Sequence, residues 1–217
     1  MRLLLIKFTS LGDLIHALPA ITDAAIALPH LKIDWMIDEA FYEVASWHPA
    51  VDQIFKTSHR TWKKGLLQAA LPIWRLIQNV RKNRYDLIID GQGNFKTALM
   101  SLFMKGPTAG FDRSSVREWV ASFAYSRKFP APKTAHAIDR LRQLFALSLN
   151  YPCPTTPPDF GIERSRFSLP SIYPMPYVFF IHNASWKTKL WPLQHGKKLV
   201  RMIGELGYHI LLPWVNM

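Results

Sequence analysis

The stretch "TSLGDLIHALPA", residues 9–20, places one carboxylate, Asp13, directly after a single glycine, between an apolar run and a segment with helical spacing. A phosphate-binding loop would carry more glycines and no acid here. Neither GxGxxG nor GK[ST] follows the first apolar run, so the dinucleotide fingerprint and the Walker loop are both excluded. What remains is an acid at the entry of a helix, at the carboxyl end of a strand, which is where open α/β sheets bind ligands. Two readings stay open on these residues alone. Asp13 can be an N-cap, worth about 1 kcal/mol. It can equally be a base, since a helix N-terminus keeps a carboxylate ionised at neutral pH and ready to take a proton late, as a hydroxyl bonds to an electrophile.

Charge supplies the second chemical signal. The 217 residues hold 27 Lys and Arg against 15 Asp and Glu, a formal +12. Between Lys56 and Asn150 the count is 17 against 5, and elsewhere it is 10 against 10, so the whole excess lies in one segment. Such asymmetry implies an anionic partner (nucleic acid, a phosphorylated metabolite or an anionic membrane surface), with a merely solvated basic face as the alternative. No nucleic-acid reader motif accompanies the charge. The single cysteine, Cys153, has no partner for an internal disulfide and no His or Cys companions at metal spacing, which agrees with a reducing compartment and no structural zinc. The longest apolar runs, "LLLI" and "YVFFI", are far too short to span a bilayer, and no cleavable signal pattern is present; a cytoplasmic location is expected.

The elements that must position these residues alternate. "RLLLIKF" at 2–8 reads as a strand, 13–28 as a helix, "KIDWMID" at 32–38 as a strand and "YDLIIDGQG" at 85–93 as a buried strand ending in glycines. "LLQAALPIWRLIQNVRKN" reads as a helix interrupted near Pro72, "NFKTALMSLFMK" as another, and further helices are expected over 114–125 and 134–149. Alternation of this kind predicts a parallel sheet covered on both faces. Residues 152–176 hold 7 of the 16 prolines without apolar periodicity and read as a linker packed along the surface. A strand, helix, strand unit follows, with Pro192 near the start of its helix and Gly207 just past the end. The expected organisation is a Rossmann-like domain over 1–151, a linker over 152–176 and a partial second domain over 177–217, too small to close a core of its own type.

"MRLLLIKFTSLGDLIHALPAITDA", "KIDWMIDEAF", "SWHPAVDQIF", "YDLIIDGQGNFKTAL" and "HAIDRLRQLFALSL" together resemble the lipopolysaccharide heptosyltransferase I group of glycosyltransferase family 9, in register from Met1 to about Trp214. The resemblance implies a GT-B fold of two Rossmann-like domains. It also implies an inverting transfer of L-glycero-D-manno-heptose from an ADP-sugar to the Kdo of Kdo-lipid A, at the inner face of the inner membrane, without a metal or other cofactor and without nucleic acid. On the matching positions, Asp13 would be the base that deprotonates the acceptor hydroxyl. Arg60, Lys63, Lys64, Arg117 and Arg140 would hold the anionic acceptor through charge-assisted contacts; two residues apart on one helix, only one of Arg140 and Arg142 can face a cleft, leaving the other solvated. Trp62 and Trp119, beside these cations, would pack against lipid or sugar, or simply within the fold.

In "HNASWKTKLWP", Ser185 and Lys189 match positions that contact the ADP phosphates, where an ammonium would offset charge building on the leaving diphosphate. Ala184 and Trp186 depart from the pattern, which has a second hydroxyl and a basic residue there. The family's later nucleotide-site motif, Asp-Thr-Gly with a downstream His, does not occur, so a C-terminally truncated transferase is expected, with the non-catalytic binding of the anionic lipid acceptor as the alternative function.

Overall fold

The structure is a computed structural model that describes residues 1–58, 66–167, 175–182 and 187–213. It divides into two units, Met1–Arg164 and Ser165–Met217.

The first unit is built on six parallel strands, β1 (Arg2–Ile6), β2 (Lys32–Asp38), β3 (Val51–Thr57), β4 (Leu87–Asp90), β5 (Thr108–Phe111) and β6 (Arg127–Phe129), in the order β3-β2-β1-β4-β5-β6. Successive strand residues point to opposite faces, and both faces here are covered. Leu3 and Leu5 join Ile33, Trp35 and Leu87 in one core. Leu4 and Ile6 join Met36 and Ile88 in the other. Helices α1 (Leu11–Ile15), α2 (Leu18–Ala27), α3 (Tyr42–Ser46) and α6 (Ala137–Leu149) contribute to the first core, whereas α4 (Leu66–Val80) and α5 (Phe95–Leu102) supply Ile77, Val80 and Met100 to the second.

Several expectations give way to local chemistry. The helix read over 13–28 is two helices, because Pro19 in the first turn of α2 has no N–H for the preceding turn and its ring crowds it. Pro72 does not interrupt α4, which runs through it. It lies on an exposed stretch, where water can satisfy the carbonyl left without a donor. The helix expected over 114–125 is a turn followed by a 3₁₀ segment, Trp119–Ala124. There Asp112 Oδ1 accepts from Ser114 Oγ and Ser115 N, both at 2.8 Å, and such bonds compete with helical pairing.

Residues 152–164 of the expected linker go with the first unit, where Phe160 and Ile162 pack on the core beside Tyr151. Gly161 has φ +61°, and a Cβ there would lie 2.3 Å from His48 Nε2, so this tight return needs glycine.

In the second unit, β7 (Tyr177–Phe179) pairs in parallel with β8 (His209–Leu211), joined by helix α7 (Leu193–Glu205). Pro192 immediately precedes α7 and Gly207, at φ +83°, follows its end. None of the described residues of α7 is buried.

Candidate active site

Chain order reverses between β1 and β4, and the crevice at such a switch point, outside the strands' carboxyl ends, is where open sheets bind ligands. A cavity of about 460 Å³ opens there, wholly within the first unit. Its described lining holds one carboxylate, Asp13, and four cations, Lys7, Arg117, Lys133 and Arg140.

Two loops build the floor. Asp90, the last residue of β4 and fully buried, accepts from Gln92 N and Gly93 N, each at 2.9 Å, and from the Tyr125 hydroxyl at 2.7 Å. Those bonds fold residues 91–93 into a turn in which Gly93, at φ +69°, lies against Val116 too closely for a Cβ. The same turn presents the Gln92 side chain to the loop after β1. Gln92 Oε1 accepts from Phe8 N at 2.7 Å and Thr9 N at 3.2 Å, and Gln92 Nε2 donates to Thr9 Oγ1 at 3.2 Å. The loop that carries Asp13 is therefore held from the neighbouring strand.

Asp13 is not the N-cap. Ser10 holds that position, and Asp13 sits at the third residue of the helix, where its Oδ2 accepts from Ser10 N at 3.1 Å and Ser10 Oγ at 2.9 Å. Among the described residues Oδ1 accepts no hydrogen bond, leaving one carboxylate oxygen for a ligand. Partial burial pushes the Asp13 carboxyl up, but the two Ser10 bonds and the charges of Lys7 and His16 outweigh it and hold it below the ordinary range. Capping thus occupies one oxygen of the side chain.

Lys7 is one residue of the candidate site that sequence reasoning passed over. It is 6% exposed, and Nζ donates to Gly91 O at 3.0 Å. Burial pushes its ammonium down and the neighbouring Asp13 and Asp90 oppose that. The available signal was a lysine ending an otherwise apolar strand-length run, which puts a charge at the carboxyl edge of the sheet. Thr9, Gln92, Ser115 and Lys133 also line the cavity without having been singled out.

Of the expected acceptor residues, Arg117 and Arg140 share this cavity with Asp13. The Arg140 guanidinium donates through Nη2 to Ser115 O and stacks over Phe111 at 4.8 Å from the ring centroid, while its Nε, buried, has no partner among the described residues. Arg142 points the other way and, contrary to expectation, is not solvated. It is buried against Asp23, with Nε to Oδ2 at 2.6 Å and Nη2 to Oδ1 at 3.3 Å, and Nη1 donates to Thr156 O at 2.9 Å. This arginine fastens α6 to α2 and to residue 156. Arg60, Lys63, Lys64 and Trp62 lie outside the described residues, as does Ser185. Lys189 is exposed at the end of a 3₁₀ turn, Lys187–Lys189, in the second unit. Trp119 is exposed, with Arg113 over its ring at 5.1 Å.

A cation-lined crevice with one poised carboxylate, on a doubly covered parallel sheet followed by a strand, helix, strand unit, is the arrangement of a GT-B-type α/β protein. Two solved structures of that type, "E. coli heptosyltransferase WaaC with ADP" and the same enzyme "with ADP-2-deoxy-2-fluoro heptose", are each similar to the chain at a TM-score of 0.92 and 35% identity, over 100% of this chain and 69% and 70% of theirs. Lipopolysaccharide heptosyltransferase 1 of Pseudomonas aeruginosa is 43% identical over 217 residues, 99% of this chain and 61% of that protein. The Salmonella typhimurium protein of the same name is 37% identical over 99% of this chain and 68% of its own length. The chain spans about two thirds of these relatives. The model for glycosyltransferase family 9 (heptosyltransferase) matches residues 73–217. The chain belongs to glycosyltransferase family 9.

Proposed function

We propose that the first unit is the acceptor-binding half of an inverting heptosyltransferase, which passes L-glycero-D-manno-heptose from ADP-heptose to the Kdo of Kdo-lipid A during assembly of the lipopolysaccharide inner core. The observation that carries this reading is the shared cavity at the switch point, where one half-buried carboxylate faces four cations. Arginine forks and a buried ammonium group suit an acceptor that bears sugar-acid carboxylates and lipid phosphates. Asp13, kept ionised by Ser10 and Lys7, takes the proton of the acceptor hydroxyl as that oxygen bonds to the anomeric carbon and ADP departs from the opposite face. One carboxylate suffices for inversion, because the diphosphate leaves without protonation. Lys189, with Ser185, would meet the phosphates of the donor, and this chemistry calls for no metal or other cofactor. The ADP and the ADP-sugar analogue in the two similar solved structures support the donor. The reaction takes place on the cytoplasmic side of the inner membrane in this proposal.

A second reading, acceptor binding without transfer, is favoured by one observation: the cavity lies entirely within the first unit. Release of ADP from ADP-heptose in the presence of Kdo-lipid A separates the two, with each ligand also titrated alone. Transfer that falls about 100- to 10,000-fold in Asp13→Asn supports the base. Undiminished transfer in that variant removes Asp13 from the role, and acceptor binding with no ADP release selects the second reading. Where transfer occurs, its acid limb is expected below the ordinary aspartate range of about 3.9, following the lowered Asp13 carboxyl.

A further inference from the structure

Helix α5 is inside out. The face it buries carries Thr97, Ala98 and Ser101 beside Met100, whereas Phe95, Leu99, Leu102 and the following Phe103 point to solvent. Spaced at i, i+4, i+7 and i+8, these form one stripe. The adjacent 3₁₀ segment adds Trp119 and Phe123, packed edge to face with ring centroids 5.8 Å apart. Leu102 and Phe123 flank the same shallow depression, so the stripe and the aromatic pair are one surface. Exposure over the six runs from 40% at Leu99 to 69% at Phe123. Folding normally turns such side chains inward, and a contiguous exposed apolar patch marks a contact.

The charges around the patch identify the partner. Residues 95–128 hold six Lys and Arg against two acids. Both acids are engaged, Glu118 Oε2 accepting from Phe95 N at 2.8 Å and Asp112 Oδ1 accepting from Ser114 and Ser115. Lys96 and Lys105 are exposed on and just beyond α5, and Arg113 lies over Trp119. Large apolar and aromatic side chains bordered by cations suit the interface of an anionic bilayer, where the rings sit at headgroup depth and the cations meet lipid phosphates. A second copy suits it poorly, because a symmetric contact would bring the same cations against one another.

We propose that α5 and residues 119–123 form the surface by which this protein docks on an anionic phospholipid membrane. Arg117 and the loop at 91–95 join this surface to the cavity, through Glu118 N donating to Gly93 O at 3.0 Å, so docking would present the crevice at headgroup level. The contact does not depend on what the cavity holds.

Co-sedimentation of the full chain with vesicles that contain no acceptor tests it, using phosphatidylcholine with and without phosphatidylglycerol. The chain is expected to bind the phosphatidylglycerol vesicles, and Phe95→Ser/Leu102→Ser/Phe123→Ser to weaken that binding about tenfold or more. Lys96→Glu/Arg113→Glu, which leaves the apolar residues in place, is expected to lower it about tenfold or more and to remove most of its salt dependence. Both variants should still bind a soluble Kdo glycoside as the unaltered chain does if the cavity reading holds; loss of vesicle binding with retained circular dichroism supports the docking surface even if that reading fails. Failure of the unaltered chain to bind phosphatidylglycerol vesicles, undiminished binding by both variants, or conversion of a lipid-free dimer to a monomer by the serine variant would each overturn the proposal.

Discussion

The two units contain the same local device, a strand followed by a helix and a parallel strand, with opposite results for burial. In the first, β1 and β4 are almost completely buried and α2 buries seven of its ten residues. In the second, β7 has no fully buried residue and none of the described residues of α7 is buried, although its apolar stripe is pronounced. Local spacing and terminal residues suffice to form a helix or strand. A core requires neighbours on both sides: β1 has β2 and β4 beside it and helices on both faces, while among the described residues β8 pairs with β7 alone.

This difference can be broken first at Arg142. Replacing it with Ala leaves Asp23 buried without its partner and is expected to cost the first unit about 3–5 kcal/mol in denaturant unfolding, while hydrogen exchange in the second unit changes little. A pH series should separate the units next. His48 is 4% exposed and bonded to Thr22 Oγ1 at 2.9 Å; burial pushes it down to about 4, against an opposing pull from Asp159. The unfolded chain then binds the extra proton below about pH 6.5, so this contribution is complete above that pH and is lost progressively as pH falls toward 4. About 3 kcal/mol is at stake, read from urea midpoints across that window, and His48→Gln should flatten the slope.

Two glycines sharpen the comparison, since both have positive φ in different surroundings. Gly161→Ala, where a Cβ would meet His48 and Thr22, is expected to cost about 2 kcal/mol or more, against about 1 kcal/mol for Gly207→Ala, which meets nothing within 4 Å. The smallest effect belongs to Gly12. Its φ is ordinary and a Cβ there would meet open space, so Gly12→Ala should raise stability by about 0.5 kcal/mol in thermal unfolding. A fall in acceptor affinity in the same variant would show that the open space beside Asp13 belongs to the ligand.

The same division governs what the sequence made legible. β2 was read at its observed bounds, because Lys32–Asp38 pairs on both sides and shows its strand character in residue type. α6 was visible from its stripe and ends at Asn150, in the left-handed conformation at φ +59°. The strands β3, β5 and β6 were not seen. Two lie at sheet edges with exposed polar residues, and β5 is the four residues "TAGF", too short for any period to show. At the candidate site, Asp13 was found from its place at the entry of a helix, and Arg117 and Arg140 from family register. Lys7 was missed because it closes an apolar run and counts toward the strand, and Gln92 because its work is to bond backbone groups 83 and 84 residues away.

Calorimetric titration of a soluble Kdo glycoside into the full chain, alongside Arg140→Ala and Asp13→Asn, addresses the cation-lined crevice most directly. Saturable binding is expected, weakened about tenfold or more by Arg140→Ala and by added salt, and left unchanged or strengthened by Asp13→Asn, which removes a negative charge facing an anionic sugar. Absence of binding to the unaltered chain, or binding indifferent to Arg140, would contradict an acceptor site at the β1–β4 switch point.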